Sequence, residues 1–304
     1  MAGPSRGVVY ASFAALLWST LGVGLKLAVT HLDSFSAALD VEILATVLLL
    51  VYLAACRKTG LVLAEFRRQP VFFVCAGALG MGLQQVLYLS AFSLQPAVQT
   101  VIAYYLYPPL MVLLAALLFR EAMPVRALLL VFLGFAGVVV MVSKGDLTQF
   151  RFGIGTLATL GAALCWAAFS VWVKHRRFDV EIGMFLFNQF GTLFLMAAIP
   201  FFGFTARVAA SEVGMLLYLA AVPTALGFII WNKALHLTQT SVCAQIALLT
   251  PVFSTMLILL VLHEQVSAYH LIGLGVIVVS AYLGLTSRRP EPGEKGRACE
   301  PVER

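Results

Sequence analysis

Charge is what this sequence has least of. Only 11% of its 304 residues are charged, against about 25% in ordinary soluble domains, while 61% are hydrophobic. A water-soluble chain of this length could not cover its surface, so the composition reads as an integral membrane protein. Cysteine is also sparse. Cys56, Cys75, Cys165, Cys243 and Cys299 form no CxxC pair, which argues against a zinc site or a disulfide framework and for small buried hydrophobes. No GxxxxGK[ST] phosphate loop, GxSxG elbow or dinucleotide fingerprint is present. The stretch His263-Glu264-Gln265-Val266-Ser267 starts like a zinc-protease helix but lacks the second histidine at i+4, and His270 comes too late. ATP drive, hydrolysis and metal catalysis therefore find no support, and no metal or cofactor is expected. The net charge of +6 does not point to nucleic acid, because the cations stand between apolar runs rather than on one polar face.

Long apolar runs are abundant. At about 20 apolar residues per crossing, ten spans are expected, near 7–29, 36–56, 71–93, 97–119, 125–143, 153–174, 181–203, 212–235, 241–262 and 267–287. Some joints, such as Leu94–Pro96 and Leu237–Thr240, are so short that their neighbours must run antiparallel. The proline-rich, charged stretch 288–304 reads as a disordered cytoplasmic tail. With ten spans, sixteen of the 20 Lys and Arg fall on the side of the two termini. By the positive-inside rule that side is cytoplasmic, and the expected location is the cell (inner) membrane.

The sequence is duplicated. Residues 88–121 and 231–264 share one pattern of two apolar runs joined by a polar bend. Ala91 and Ala234, Pro108 and Pro251, and Glu121 and Glu264 pair at a constant offset of 143. AALLW ending at Trp18 and AALCW ending at Trp166 pair at 148, as do Lys26 and Lys174. Residues 1–144 and 145–287 thus read as two five-span repeats. Five is odd, so the second enters the membrane upside down. The expected fold is an all-α integral membrane protein of ten helices in two inverted repeats, with a substrate site near the midplane.

On these residues the chain resembles the drug/metabolite transporter superfamily in its EamA-like branch. Trp18 and Trp166, the alanine-centred ends YLSAFSL and WNKALHL, and Pro108 and Pro251 with their glutamates carry the likeness, which covers nearly everything but the tail. The resemblance implies small-molecule transport, often efflux of metabolites or amino acids, through a cavity lined by spans 1, 3, 4, 6, 8 and 9. One departure stands out. The second span of this family often carries an arginine near its start, as in AALR, whereas this chain reads AALDVEILA, with Asp40 and Glu42.

Charges inside a span cost about 2.5–3.5 kcal/mol at its centre. Asp40 and Glu42 therefore read either as a coupling or cation-recognising site, or as headgroup charges before a helix that starts late. Two residues apart, they point about 200° away from each other, so at most one faces a cavity, with Glu42 the deeper. Pro108 and Pro251 are the candidate hinges, since a mid-helix proline frees the carbonyl one turn earlier. Tyr104 and Tyr107, with Tyr105 less favoured, offer rings and hydroxyls suited to an amphipathic solute, or else an aromatic packing stripe. Gln99 lies before them. Gln84 and Tyr88 share a face of the third span. Gln245 lies on the ninth, where the first repeat has Ile102, and like Asn188 and Gln189 it is either a ligand contact or glue between helices. Trp18 and Trp166 sit inside their spans rather than in the interfacial belt, which favours the bundle interior, while Trp231 reads as an anchor.

Lys26 and Lys174 read as snorkelling residues, with a Lys26–Asp40 ion pair as the other option. Glu121 and Glu264 read as local charges fixing helix ends. Glycines 134, 137, 273, 275 and 284 mark spans 5 and 10 as buttresses, which can face lipid or form a homodimer contact. The expected function is export of small organic metabolites, such as amino acids, by alternating access, driven by the solute gradient or by protons. The expected partners are the solute and the bilayer. An importer of a vitamin- or nucleotide-like solute on the same scaffold is the alternative.

Overall fold

A computed structural model describes residues 6–28, 33–121, 124–148, 150–205, 208–262 and 267–286. Among the described residues there is no strand. The first half comprises α1 (Arg6–Ala28), α2 (Ser34–Ala55), α3 (Thr59–Arg68), α4 (Pro70–Gly77), a π-helical segment (Ala78–Leu83), α5 (Gln84–Leu94), α6 (Ala97–Tyr104), α7 (Tyr107–Phe119) and α8 (Val125–Ser143). The second half comprises α9 (Ile154–Lys174), α10 (Val180–Phe202), α11 (Ala210–Leu219), a π-helical segment (Ala220–Leu226), α12 (Gly227–Leu237), α13 (Thr240–Ala247), α14 (Thr250–Leu262) and α15 (Ala268–Thr286). Among the described residues, nine stretches are long and apolar enough to cross a bilayer. With the 23-residue α1 they give the ten expected spans.

The duplication extends to the helix ends. The starts of α5, α6, α7 and α8 recur at an offset of 143 in α12, α13, α14 and α15, and that of α1 recurs at 148 in α9. The second spans, α2 and α10, align at 146. One element was not anticipated. The ten-residue α3 is too short to cross, exposes Leu61 and Leu63, and ends in Arg67 and Arg68. Apolar and basic residues on one short helix suit the interface between headgroups and acyl chains.

The proline positions do more than kink. The fourth span stops at Tyr104 and restarts at Tyr107, because Pro108 and Pro109 occupy the first turn of α7 and neither can bond back to the carbonyls of Tyr104 or Tyr105. The ninth span breaks in the same way between Ala247 and Thr250, ahead of Pro251. The third and eighth spans each contain a π-helical segment at equivalent positions, the second built around Pro223. Such segments misalign carbonyls locally and are frequent at functional sites.

The halves contact each other as the protomers of a two-fold dimer do. In an isologous contact, a residue on the axis meets its own equivalent. Trp18 meets Trp166 with ring centroids 5.9 Å apart. Thr46 meets Thr192 through hydroxyls 3.1 Å apart, and Asn188 donates to Glu42 at 2.7 Å. The last two pairs are both separated by 146 residues, the offset of these spans. In α8 and α15 the contact is reciprocal. A Cβ on Gly134 would stand 2.6 Å from Ser280 Oγ, and one on Gly137 would stand 2.8 Å from Ile277. At the offset of 143, Ile277 is the equivalent of Gly134, and Ser280 that of Gly137. The in-plane axis therefore passes through spans 1 and 6, 2 and 7, and 5 and 10. The halves also interlock: α1 packs on α12 and α9 packs on α5.

A Cβ on Gly273 would lie 2.6 Å from the Gly137 carbonyl oxygen, whereas Gly275 has nothing within 4 Å. Gly273→Ala should therefore separate α8 from α15 and cost about 1–3 kcal/mol, seen as a lowered melting temperature of the purified protein. Gly275→Ala should melt like the wild type.

Candidate functional site

The centre is built from α1 and α9. Ala11, Ala14, Ala15 and Trp18 form a buried stripe on α1, and Thr159, Ala162, Ala163 and Trp166 form its equivalent on α9. The small residues let α12 and α5 approach closely, and the two indoles reach across the gap between α1 and α9. Trp18 also lies 5.1 Å from Trp231 and 5.4 Å from Phe228, and Trp166 lies 5.4 Å from Phe228. The Trp18 indole donates to the Pro223 carbonyl at 3.1 Å, an acceptor supplied by the π-helical segment. Gly227, one turn on, leaves room for it: a Cβ there would lie 3.1 Å from Trp18 Nε1. The sequence signals were Pro223 and Gly227, neither of which was singled out.

Beside the indoles, and in the same apolar cluster, stand Tyr104, Tyr105 and Tyr107, and Tyr88 joins them through Tyr104. Tyr88 from α5 meets Tyr104 at 4.4 Å, Tyr104 meets Tyr107 at 5.4 Å, and Tyr105 meets Tyr107 at 6.0 Å. Gln84 donates to the Tyr104 hydroxyl at 3.0 Å. The structure thus brings together Gln84, Tyr88, Tyr104 and Tyr107, with Trp18 and Trp166 in the same cluster. It adds Tyr105, and it adds Trp231, which is fully buried rather than an interfacial anchor. Two polar atoms here have no partner: the Trp231 indole nitrogen and the Asn232 amide oxygen. Buried polar atoms without partners are rare and call for an explanation.

Two expected residues lie elsewhere. Gln99 is five residues before Tyr104, about 140° around the helix, and it bonds instead to Thr156 at 2.7 Å and to the Arg151 carbonyl. Gln245 packs against Gly284 of α15, bridging helices.

Gln99 belongs to a closure on the face opposite the basic one. Gln95, at the joint of the third and fourth spans, sits over Gly155, where a Cβ would lie 3.0 Å from its Cγ. Its amide donates to Thr159 at 3.0 Å, and Thr156 donates to its oxygen at 2.9 Å. Outside this closure, Gln95, Gln99, Arg151 and Phe152 line a vestibule of about 600 Å³. On the basic face the equivalent joint does the same. Thr238 sits over Gly7, where a Cβ would be 2.8 Å from Thr238 Cβ. Gly7 and Gly155 are equivalents, as are Gln95 and Thr238. One knob-and-glycine contact, used twice, closes both faces.

Charged ties reinforce the basic face. Glu121 accepts from Lys174 at 3.0 Å, His175 at 3.1 Å and Thr240 at 3.0 Å. It is therefore not a purely local end charge, and Lys174 does not snorkel. Their equivalents do not bear on this comparison, since Glu264, with His263, and the Lys26 side chain lie outside the described residues, as does the expected tail. Lys58 bonds Asp179 at 2.8 Å and Glu181 at 2.7 Å, and Lys233 bonds Glu181 at 3.0 Å. Asp179 also caps α10. Its equivalent, Asp33, caps α2 and, among the described residues, accepts across the halves from the Thr205 hydroxyl at 3.1 Å. Partial burial acts to raise the Asp179 carboxyl, but the bonds from Lys58 and the α10 backbone outweigh it and hold the group below its ordinary value. Burial likewise opposes the Lys58 charge, yet the two carboxylates push that amine above its ordinary value.

Among the described residues no cluster of His, Cys, Asp and Glu could hold a metal ion. The pH dependence of the charged tie follows from the two shifts. The depressed Asp179 stabilises the fold at pH values above its ordinary 3.8 and loses that contribution as pH falls. The raised Lys58 contributes below its ordinary 10.5 and loses that contribution as pH rises further. The stability difference between wild type and Lys58→Met should be flat between these limits and shrink outside them. Equal pH profiles of melting temperature for the two proteins would contradict the tie.

A model of the EamA-like transporter family matches residues 5–143 and again 153–286. An Archaeoglobus fulgidus protein named Uncharacterized transporter is 30% identical over 169 residues, covering 54% of this chain and 58% of that protein. Bacillus subtilis Uncharacterized transporter YvbV is 29% identical over 60% of this chain and 61% of its own length. For these two, the match spans less than two thirds of the relative. Uncharacterized transporter YyaM of the same bacterium is 24% identical over 82% and 85%. One crystal structure shares the fold, with a TM-score of 0.81 at 22% identity over 93% of this chain and 99% of that one.

Proposed function

The chain belongs to the EamA-like transporter family, and we propose that it exports small organic metabolites, amino acids or similar amphipathic solutes, by alternating access. The single observation that carries this reading is the pair of equivalent closures, Gln95 over Gly155 and Thr238 over Gly7, on either side of an aromatic centre. An inverted repeat that shuts both faces with the same contact can open each in turn by rocking one half on the other.

Amphipathic solutes suit the centre on chemical grounds. Indole and phenol rings would take an apolar side chain. The unpaired Trp231 N–H would take a carboxylate. Broken helices at Tyr104–Tyr107 and Ala247–Thr250 leave carbonyls free for further contacts. The basic face is the cytoplasmic one by its lysines and arginines, and efflux is the expectation the family carries. With no ATP-binding motif, the solute gradient or protons supply the drive.

Counterflow of labelled amino acids into liposomes holding the full chain tests the reading. Trp166→Ala should weaken half-saturation about fivefold, on the order of 1 kcal/mol of lost ring contact. Tyr104→Phe, which removes the hydroxyl bound by Gln84, should change the rank order of solutes. Absence of flux for every member of a broad solute panel would overturn the assignment.

A further inference from the structure

The contact between Glu42 and Asn188 is chemically incomplete. Glu42 is 1% exposed and Asn188 is fully buried, midway along α2 and α10. Asn188 Nδ2 donates to Glu42 Oε2 at 2.7 Å, yet the amide oxygen of the same side chain has no partner. Its neighbours supply no donor. Thr46 is engaged with the Glu42 carbonyl and with Thr192, and Gln85 of α5 faces the Glu42 carboxyl. An ionised carboxylate is only an acceptor, so it leaves the amide oxygen orphaned. A protonated one has a hydrogen to give, and an acid and an amide side by side then satisfy each other through two hydrogen bonds.

Among the described residues, no charged side chain of a neighbouring element answers Glu42. On α10, Glu181 lies at the basic end, tied to Lys58 and Lys233. On α11, Glu212 holds the Ala209 N–H at the opposite end, and the π-helical segment after it carries no titratable group. On α5 the titratable group is Tyr88, stacked on Tyr104. On α3, Glu65 pairs with Arg68, and Arg67 lies with them at the basic end. On α2 itself, Asp40 stands on another side and Tyr52 lies toward the basic end. A buried carboxylate with no cation beside it is expensive. A neutral acid is not.

Position adds the functional consequence. Glu42 and Asn188 are repeat equivalents in contact, so they mark the two-fold axis, equidistant from the two closures. We propose that Glu42 and Asn188 form a proton-binding site on this axis, complete when Glu42 is protonated and released when the halves move apart. The proton comes from water on one face, resides on a Glu42 oxygen while α2 and α10 are latched, and returns to water when the latch parts. Resting on the transport reading, this makes the driving ion a proton carried by a residue outside the aromatic site.

The test uses the full chain in liposomes and needs no substrate. Infrared difference spectra across a pH titration should show a protonated-carboxyl C=O band in the wild type. Glu42→Gln, which keeps an amide–amide pair and the shape, should lack that band, and Asn188→Leu should move it to higher frequency. Two reporters, Thr238→Cys in the basic-face closure and Ala103→Cys deeper in the fourth span than Gln95, are placed in a background without the five native cysteines. Their alkylation should slow about tenfold per pH unit below the midpoint of the band, where the protonated latch holds the halves together, and Glu42→Gln should flatten the response. A spectrum unchanged by Glu42→Gln, or reporters that respond to sodium and not to pH, would overturn the proposal. Absence of flux in the counterflow assay, with band and reporter response intact, would instead sink the transport reading and leave the proton site standing.

Discussion

Trp18 against Trp166, Glu42 against Asn188 and Thr46 against Thr192 are contacts between equivalents, and the arrangement of every other element follows from them. Because each repeat has an odd number of spans, the axis relating them must lie in the membrane plane. A contact on that axis is then at the midplane, as far from water as the chain goes. The interlocking of α1 with α12 and of α9 with α5 means that neither half buries its small-residue stripe alone. Alanine at positions 11, 14 and 15, repeated at 162 and 163 with Thr159, sets how closely those pairs approach. That spacing in turn leaves the central gap that two indoles span.

The bilayer offers no water to polar groups, so each departure from regular helix must be matched from within. The π-helical segment at Ala220–Leu226 gives up a carbonyl and Trp18 takes it. The fourth span gives up two carbonyls at its break and surrounds them with tyrosine. These departures lie toward the centre of the bundle. Irregularity here marks where a solute could replace a missing partner.

Much of this was legible in the chain. The offsets of 143 and 148 located the repeats. Tyr88, Tyr104 and Gln84 were found because helical spacing and a short bend bring them together without long-range information. The failures have a common cause. Gln99 was grouped with the tyrosines by nearness in sequence, although five residues turn it well away from Tyr104. The role of Glu121 depends on Lys174 and His175, more than fifty positions on, and nothing local announces them. Spans 2 and 7 align at 146, with Glu42 opposite asparagine, so their kinship was hidden by divergence at the very positions where they touch. The π-helical segments left only Gly80, Gly82 and Pro223 as traces, which a span tolerates for many reasons.

Divergence on a duplicated frame is itself informative. Asp33 and Asp179 cap equivalent helices and tie the halves together at opposite faces. One finds the Thr205 hydroxyl, and the other finds Lys58 within a four-charge group. A hydroxyl tie exchanges for water at little cost. A partly buried group of two lysines and two carboxylates must be rehydrated as a unit, and single exposed pairs are worth only about 0–1 kcal/mol each. Its contribution therefore lies in linking three segments, the end of α2, the start of α10 and α12, so that none moves alone. Symmetry lets both faces close by one contact, and these unlike ties give the faces different resistance to opening. A transporter with equal halves would have no preferred resting side. Among the described residues, the four-charge tie belongs to the basic face.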